Sequence, residues 1–427
     1  MSIELIGIIV LLLMFIVGSV LPINLGVLGF VAAFIVGVVI SGLNIDDIYS
    51  GFPAELFVTL AGVTYLFSIV EKNGTVDLIT GWGLRLVRGN LGLVPWIMFL
   101  LCAILTSVGT LGPAAIAILA PIALRFAARY NINPLLMGLL LVIGSTAGSF
   151  SLLNPYGVIV NGVMQARDLP HSPGLLFINA FIFSVFASVI VFIVLGGLRL
   201  LKKRTAAEED AASRGEGSSA NENNKSQENG LTFYKGITLL GIITLVVLAL
   251  MFDIDIGFAA LGVGLVLALI APKQQKGVLS RMPWSVILLI TGIVTYVGVL
   301  ETIGTIDYMT DLIAKVGNPV IAALASSYVG GIVSAFASTT GFLAAIIPLA
   351  APILQDPTIS SIGVVSAIAI SSSIVDISPF STNGALLLAN VQGVKENVFF
   401  KQLLLSAVVV VALGPGLAWL AFVLIAG

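Results

Sequence analysis

Ten residues running from Glu71 to Thr80, Glu-Lys-Asn-Gly-Thr-Val-Asp-Leu-Ile-Thr, return 230 positions later from Glu301 to Thr310 as Glu-Thr-Ile-Gly-Thr-Ile-Asp-Tyr-Met-Thr. Glu, Gly, Thr, Asp and Thr fall in register, far more agreement than chance supplies. One structural unit is therefore used twice. With 58% hydrophobic residues, 9% charged residues and a mean hydropathy of +1.14, the unit cannot be given a water-compatible surface and belongs in a bilayer.

Apolar runs close to the roughly 20 residues that cross a hydrocarbon core recur at 4–20, 24–41, 55–70, 174–198, 236–252, 256–271, 284–300 and 403–425. Each predicts a spanning helix. The start, Met1-Ser2-Ile3-Glu4, lacks a basic leader and a small-residue cleavage site, so the first run reads as a retained helix. The lone cysteine, Cys102, excludes an internal disulfide, and the lone histidine, His171, argues against a His-based metal centre. No Gly-x-x-x-x-Gly-Lys loop is present, so no nucleotide is expected as a partner. Gly262-Val263-Gly264 reads as helix packing.

The expected organisation is a first membrane repeat over 1–200, a polar and disordered cytoplasmic linker over 201–235, and a second membrane repeat over 236–427. Each half reads as three crossings, a two-armed re-entrant hairpin, a long broken helix and a final crossing. An odd number of crossings makes the second repeat inverted, with both termini on one side. With the linker inside, seventeen of the 19 Lys and Arg residues fall inside, seven of them counted with the linker. Arg167 and Lys315 are the exceptions, while Asp46, Asp47, Asp253, Asp255, Glu301, Asp307 and Asp311 fall outside. Both termini are expected to be external.

The irregular segments carry the candidate chemistry. Arms at 93–106 and 112–126 flank Thr106-Ser107-Val108-Gly109-Thr110-Leu111-Gly112-Pro113. Arms near 319–336 and 341–354 flank Ala337-Ser338-Thr339-Thr340-Gly341-Phe342, and the downstream arms share Ala-Ala-Ile at 114–116 and 344–346. Each turn leads into a helix start whose free N–H groups, dipole and nearby hydroxyls suit an anion. The alternative is that small hydroxyl residues simply let helices pack closely. The next helix of each half is interrupted at 144–157 and at 371–384, where Phe150-Ser151 meets Phe380-Ser381 at the 230 offset. Unwound backbone at membrane depth is tolerated where it lines a cavity or binds something. Asp376 is the acidic residue placed inside a spanning segment, as cation ligand or proton acceptor, or else as a cap of the broken helix. Its partner at the offset is Thr146.

This architecture, an all-α polytopic protein of two inverted repeats with hairpins, discontinuous helices and amphipathic segments at 75–88 and 305–316, resembles the ion transporter superfamily, near the divalent anion/sodium symporters. The first half, especially Leu25–Ala123, looks most like the MatC-type dicarboxylate (malonate) carriers. The resemblance implies a homodimer, an elevator mechanism, and carboxylate binding at the hairpin tips, here Val108-Gly109-Thr110 and Ser338-Thr339-Thr340. Both tips lack the asparagine of the family's Ser-Asn-Thr pattern. From the breaks, Ser151, Asn154, Ser381, Thr382 and Asn383 join the substrate candidates, and Asp376, Ser378, Thr146 and Ser149 form the cation-coupling set. Sodium is the metal ion these segments suit. The function expected is import of a small organic dianion of malonate type, coupled to a sodium or proton gradient across the bacterial inner membrane. The alternatives are an anion channel or a carrier for another organic anion such as citrate. A membrane-embedded enzyme is disfavoured because Asp376 has no evident His, Cys or second buried carboxylate to complete a catalytic set.

Overall fold

The structure is a computed structural model that describes residues 2–76, 78–79, 91–202, 232–252, 254–305, 307–308, 318–335 and 339–425. Residues 203–231 of the linker expected over 201–235, most of the amphipathic segments at 75–88 and 305–316, and Ser338 lie outside the described residues; both ends of that linker are helical instead, within Gly197–Lys202 and Phe233–Met251. The first half comprises α1 (Ile3–Val20), α2 (Leu25–Ala33, continued by π-helical turns Phe34–Ile40), α3 (Ile45–Ser50), α4 (Ala54–Lys72), α5 (Val94–Ser107), α6 (Gly112–Arg129), α7 (Pro134–Gly148), α8 (Pro155–Gln165), α9 (Pro173–Val194) and α10 (Gly197–Lys202). The second comprises α11 (Phe233–Met251), α12 (Ile256–Ile270), α13 (Trp284–Thr302), α14 (Pro319–Ser334), α15 (Thr339–Leu349), α16 (Ala351–Leu354), α17 (Ser361–Ile374), α18 (Thr382–Asn390) and α19 (Glu396–Trp419, continued by Leu420–Ile425). Among the described residues no strand occurs, and six helical segments are long and apolar enough to cross a membrane. The chain is an all-α integral membrane protein with interrupted helices. The α6 arm runs to Arg129, three residues past the expected end, and is one of those six segments.

The two halves are interlaced. Helix α2 packs on α13 and α4 packs on α12, so corresponding helices of each half cross to the other. Glycines permit this approach: a Cβ on Gly292 would stand 2.0 Å from the Gly26 carbonyl oxygen, and one on Gly62 would stand 2.2 Å from that of Gly257. Without a hydrophobic driving force between helices in lipid, such close backbone contact is what holds them together. Gly264 also packs, against Tyr65, whereas Gly262 has open space beside it, so only one of that pair is a packing glycine. Both apolar cores draw on both repeats, one joining Leu60, Phe150, Tyr296 and Ile370, the other Leu66, Met98, Leu245 and Leu403.

The repeat register changes along the chain. Helix α1 starts at 3 and α11 at 233, and α4 starts at 54 and α13 at 284, a spacing of 230. Gly74 and Gly304 keep that spacing, both with the positive φ (+76° and +85°) that ends a helix. Beyond them α6 and α15 start at 112 and 339, α7 and α17 at 134 and 361, and α8 and α18 at 155 and 382, a spacing of 227. The second half is three residues shorter between Gly304 and Ser334. Phe150-Ser151 and Phe380-Ser381 are therefore not counterparts, and neither are the two Ala-Ala-Ile stretches. The counterpart of Asp376 is Ser149, not Thr146.

Candidate functional site: two helix breaks and the turns beside them

The first break opens where α7 ends at Gly148 and α8 restarts at Asn154-Pro155, a cap followed by a proline at the first helical position. Asn154, 1% exposed, accepts from the Tyr156 N–H at 3.2 Å through Oδ1. Its Nδ2 donates to the carbonyls of Thr106 (2.9 Å) and Thr110 (3.1 Å). Ser151 donates its hydroxyl to the Ser107 carbonyl at 2.7 Å and accepts from the Leu153 N–H at 3.3 Å. The break and the α5–α6 turn are thus stapled together, with the Asn154 Nδ2 spent on the staple and its Oδ1 on capping α8. Within the turn, Gly109 has φ +109°, and a Cβ there would meet the Phe67 ring at 2.3 Å and the Leu153 carbonyl at 2.7 Å. Only glycine fits. Val108 and Thr110, half-buried, flank it.

The second break passes from α17 through a 3-10 turn, Val375–Ile377, to the cap of α18 at Ser381. Ser381 accepts from the Gly384 N–H at 3.2 Å and donates to the backbone carbonyls of Asp376 and Ser378. Ser378 accepts from the Phe380 N–H at 3.3 Å. A glycine serves both breaks in the same way: a Cβ on Gly157 would stand 2.0 Å from the Ser151 carbonyl oxygen, and one on Gly384 would stand 2.0 Å from that of Ser378.

Each half completes the other's site. Helix α15 packs on α8, and α6 packs on α18. At the first junction the half-buried Asp376 carboxylate accepts the Thr339 hydroxyl at 2.8 Å and, at a longer 3.4 Å, the Tyr156 hydroxyl from the opposite repeat. Thr340 lies beside Tyr156. Among the described residues the ion pair formed is Arg167–Glu301, so no described cation neutralises Asp376. At the second junction Asn383, the counterpart of Tyr156 at the 227 spacing, approaches the start of α6. Its Nδ2 would lie 3.9 Å from a Cβ on Gly112, and the Ser145 hydroxyl 2.6 Å from it. Asn383 is 5% exposed and its Oδ1 has no hydrogen-bond partner.

The remaining candidates divide by position. Ser149 donates to the Ser145 carbonyl at 2.7 Å and Thr146 to that of Val142 at 3.4 Å, so both hydroxyls are turned onto their own helix. Thr382 is exposed. Ser338 lies outside the described residues. The sequence pattern alone does not mark Tyr156 or Ser145. Tyr156 becomes legible only as the counterpart of Asn383, a relation the 230 spacing conceals. Among the described residues no three His, Cys, Asp or Glu side chains converge to hold a metal ion.

Three comparisons bear on this arrangement. Residues 1–149 match a family model described as the dicarboxylate carrier protein MatC N-terminus, a match that stops at the end of α7, where the first break begins. No curated protein matches the chain in sequence. The fold is similar to the crystal structure of the YdaH transporter of Alcanivorax borkumensis, described as having an unusual topology, with a TM-score of 0.60, 14% identity and 98% of each chain covered. The fold is one that a membrane transporter uses, and its first third resembles the start of a dicarboxylate carrier.

Proposed function

We infer that this chain is a secondary active transporter, not an enzyme, which imports a small dicarboxylate of malonate size across the bacterial inner membrane together with a sodium ion or a proton. The observation that carries the reading is Asp376, a carboxylate without a described counter-cation, held by a hydroxyl of its own repeat and one of the other at a point where helical backbone is interrupted. A carboxylate at that depth recruits a cation or takes up a proton. The starts of α6 and α15 supply N–H donors, that of Thr339 among them, and Thr110 and Thr340 supply hydroxyl donors for the substrate carboxylates.

Inversion of the repeats is supported by the sense of the helices. Helix α4 runs from a face carrying Glu55, where Gln165 donates to it, to a face where Lys72 meets the Lys276 carbonyl. Its counterpart α13 runs the other way, ending at Glu301 beside Arg167 on the first face. The α5–α6 pair returns to the second face, where Ala128 lies against Gly393, and α16 returns to the first, where Leu354 and Pro170 share a cavity. In this reading the two pairs are re-entrant hairpins entering from opposite sides, the linker is cytoplasmic and both termini are external. The broken helices and hairpins would move as one body against α2, α4, α12 and α13, in a homodimer.

The test is uptake of labelled mono-, di- and tricarboxylates into proteoliposomes with sodium and proton gradients imposed separately. Accumulation of a dicarboxylate driven by one gradient is expected. Downhill flux without accumulation would instead identify an anion channel.

A further inference from the structure

A cavity of about 730 Å³ separates the starts of α4 and α12 from the end of α8, and it reaches inward to Leu152, Gly157 and Val158 at the first helix break. Its wall contains one permanently charged cation, Arg167. The residue is held in place by the turn that ends α8. Asp168 takes the left-handed conformation (φ +52°), and the N–H groups of Arg167 and Leu169 both return to the Met164 carbonyl, at 3.2 and 3.0 Å. Arg167 is 12% exposed. One end of its guanidinium, Nη2, meets Glu301 at 3.0 Å, while its Nε–H is buried with no acceptor. The partner carboxylate is half in solvent, at 50% exposed, and such a pair contributes little stability. The carboxylates that line the cavity are committed elsewhere: Glu55 accepts from Gln165 at 3.1 Å and Asp255 caps α12 through the Phe258 N–H at 2.8 Å.

We propose that Arg167 is a carboxylate-binding subsite at the mouth of this cavity, at which one carboxylate of an incoming organic dianion displaces Glu301 and pairs with the guanidinium through the otherwise unpartnered Nε–H. A guanidinium presents its donors as a planar fork that matches a carboxylate, and its preference for two-point pairing exceeds what Glu301 supplies through Nη2 alone. Glu301 is then a competitor for the subsite, occupying it while no substrate is present. The site is separate from the hairpin-tip donors and rests on the transporter reading only in its purpose, which is to gather substrate at the cavity leading to the break.

The test uses the full chain in lipid nanodiscs, with labelled malonate and succinate as probes in equilibrium binding. Arg167→Gln is expected to weaken binding about tenfold, as the loss of a charge-assisted pair should. Arg167→Lys should fall between that variant and the parent, and Glu301→Gln should strengthen binding a few-fold, on the order of a competing surface pair. The opposite signs of Arg167→Gln and Glu301→Gln distinguish the subsite from a structural ion pair, whose loss from either end has the same effect. A shift in the same direction for both variants, no shift in Arg167→Gln, or no binding by the parent overturns the subsite. Uptake into proteoliposomes reads the other inference separately. Arg167-dependent binding without uptake leaves the subsite standing and removes the transporter assignment.

Discussion

Thr339 donates its hydroxyl to Asp376 across 2.8 Å, joining the first residue of α15 to the turn that interrupts α17. Tyr156, 220 positions before Asp376, reaches the other carboxylate oxygen from the opposite repeat. The acidic group therefore sits where a movement of either broken helix or of the α14–α15 pair changes its surroundings, as the proposed coupling role requires.

Replacing Asp376 by Asn removes the charge and retains an oxygen for Thr339. Concentrative uptake should be abolished, while substrate exchange or binding persists in part because the donors at the helix starts are intact. Counterflow and gradient-driven uptake in the same proteoliposomes check this. Undiminished accumulation with the parent's ion dependence would falsify the coupling role and leave Asp376 as a structural cap.

Thr110→Val and Thr340→Val each remove a hydroxyl from a candidate carboxylate site. Each should weaken substrate binding by roughly 1–3 kcal/mol, the size of a hydrogen bond to a charged group. Binding isotherms on purified protein decide it, and unchanged affinity in both variants moves the substrate elsewhere.

Asn154→Leu should be a folding defect. It uncaps α8 and strips the Thr110 carbonyl of its Nδ2 donor, at roughly 1–3 kcal/mol for each buried group left unpaired. Asn154→Asp keeps the cap but sets a buried carboxylate oxygen against the carbonyls of Thr106 and Thr110, so it should be the more destabilising of the two. Thermal unfolding in detergent separates the two variants.

The helix crossings between repeats make a sharper stability contrast. Gly292→Ala places a methyl 2.0 Å from the Gly26 carbonyl oxygen and should cost about 1–3 kcal/mol or more, because backbone has to move. Gly262→Ala, inside α12 with nothing within 4 Å, should be slightly stabilising. Equal melting temperatures for the two variants would contradict the packing.

Topology is testable with engineered cysteines, since the native Cys102 is fully buried and gives a silent background. Cysteines placed within Ser41–Ala54 and at Gly427 should react with an impermeant reagent on intact cells, and cysteines in the 203–231 linker should not. A reactive linker argues against the inverted arrangement.

The bilayer environment, the membrane-length helices at 54–72, 173–194, 284–302 and 396–425 and the two interruptions at 144–157 and 371–384 were legible in the sequence, whereas the apolar runs at 4–20, 24–41, 236–252 and 256–271 form shorter helices. Hydropathy, prolines at helix starts and clusters of glycine and hydroxyl residues act over a few positions and need no distant partner. The pairing of the sites was not legible. A constant spacing of 230, established by Glu71–Thr80, carries no information about three residues lost beyond Gly304, so it pairs Asp376 with Thr146 and leaves Tyr156 unmarked. Nor does composition disclose that Asn154 is spent on stapling the first turn, whereas Asn383, a residue of the same type in the other break, keeps a buried oxygen without a partner. Those outcomes depend on which helix of one repeat lies against which helix of the other. That choice is made by close backbone packing at Gly26, Gly62, Gly257 and Gly292, contacts whose partners are roughly 200 residues or more away in the chain.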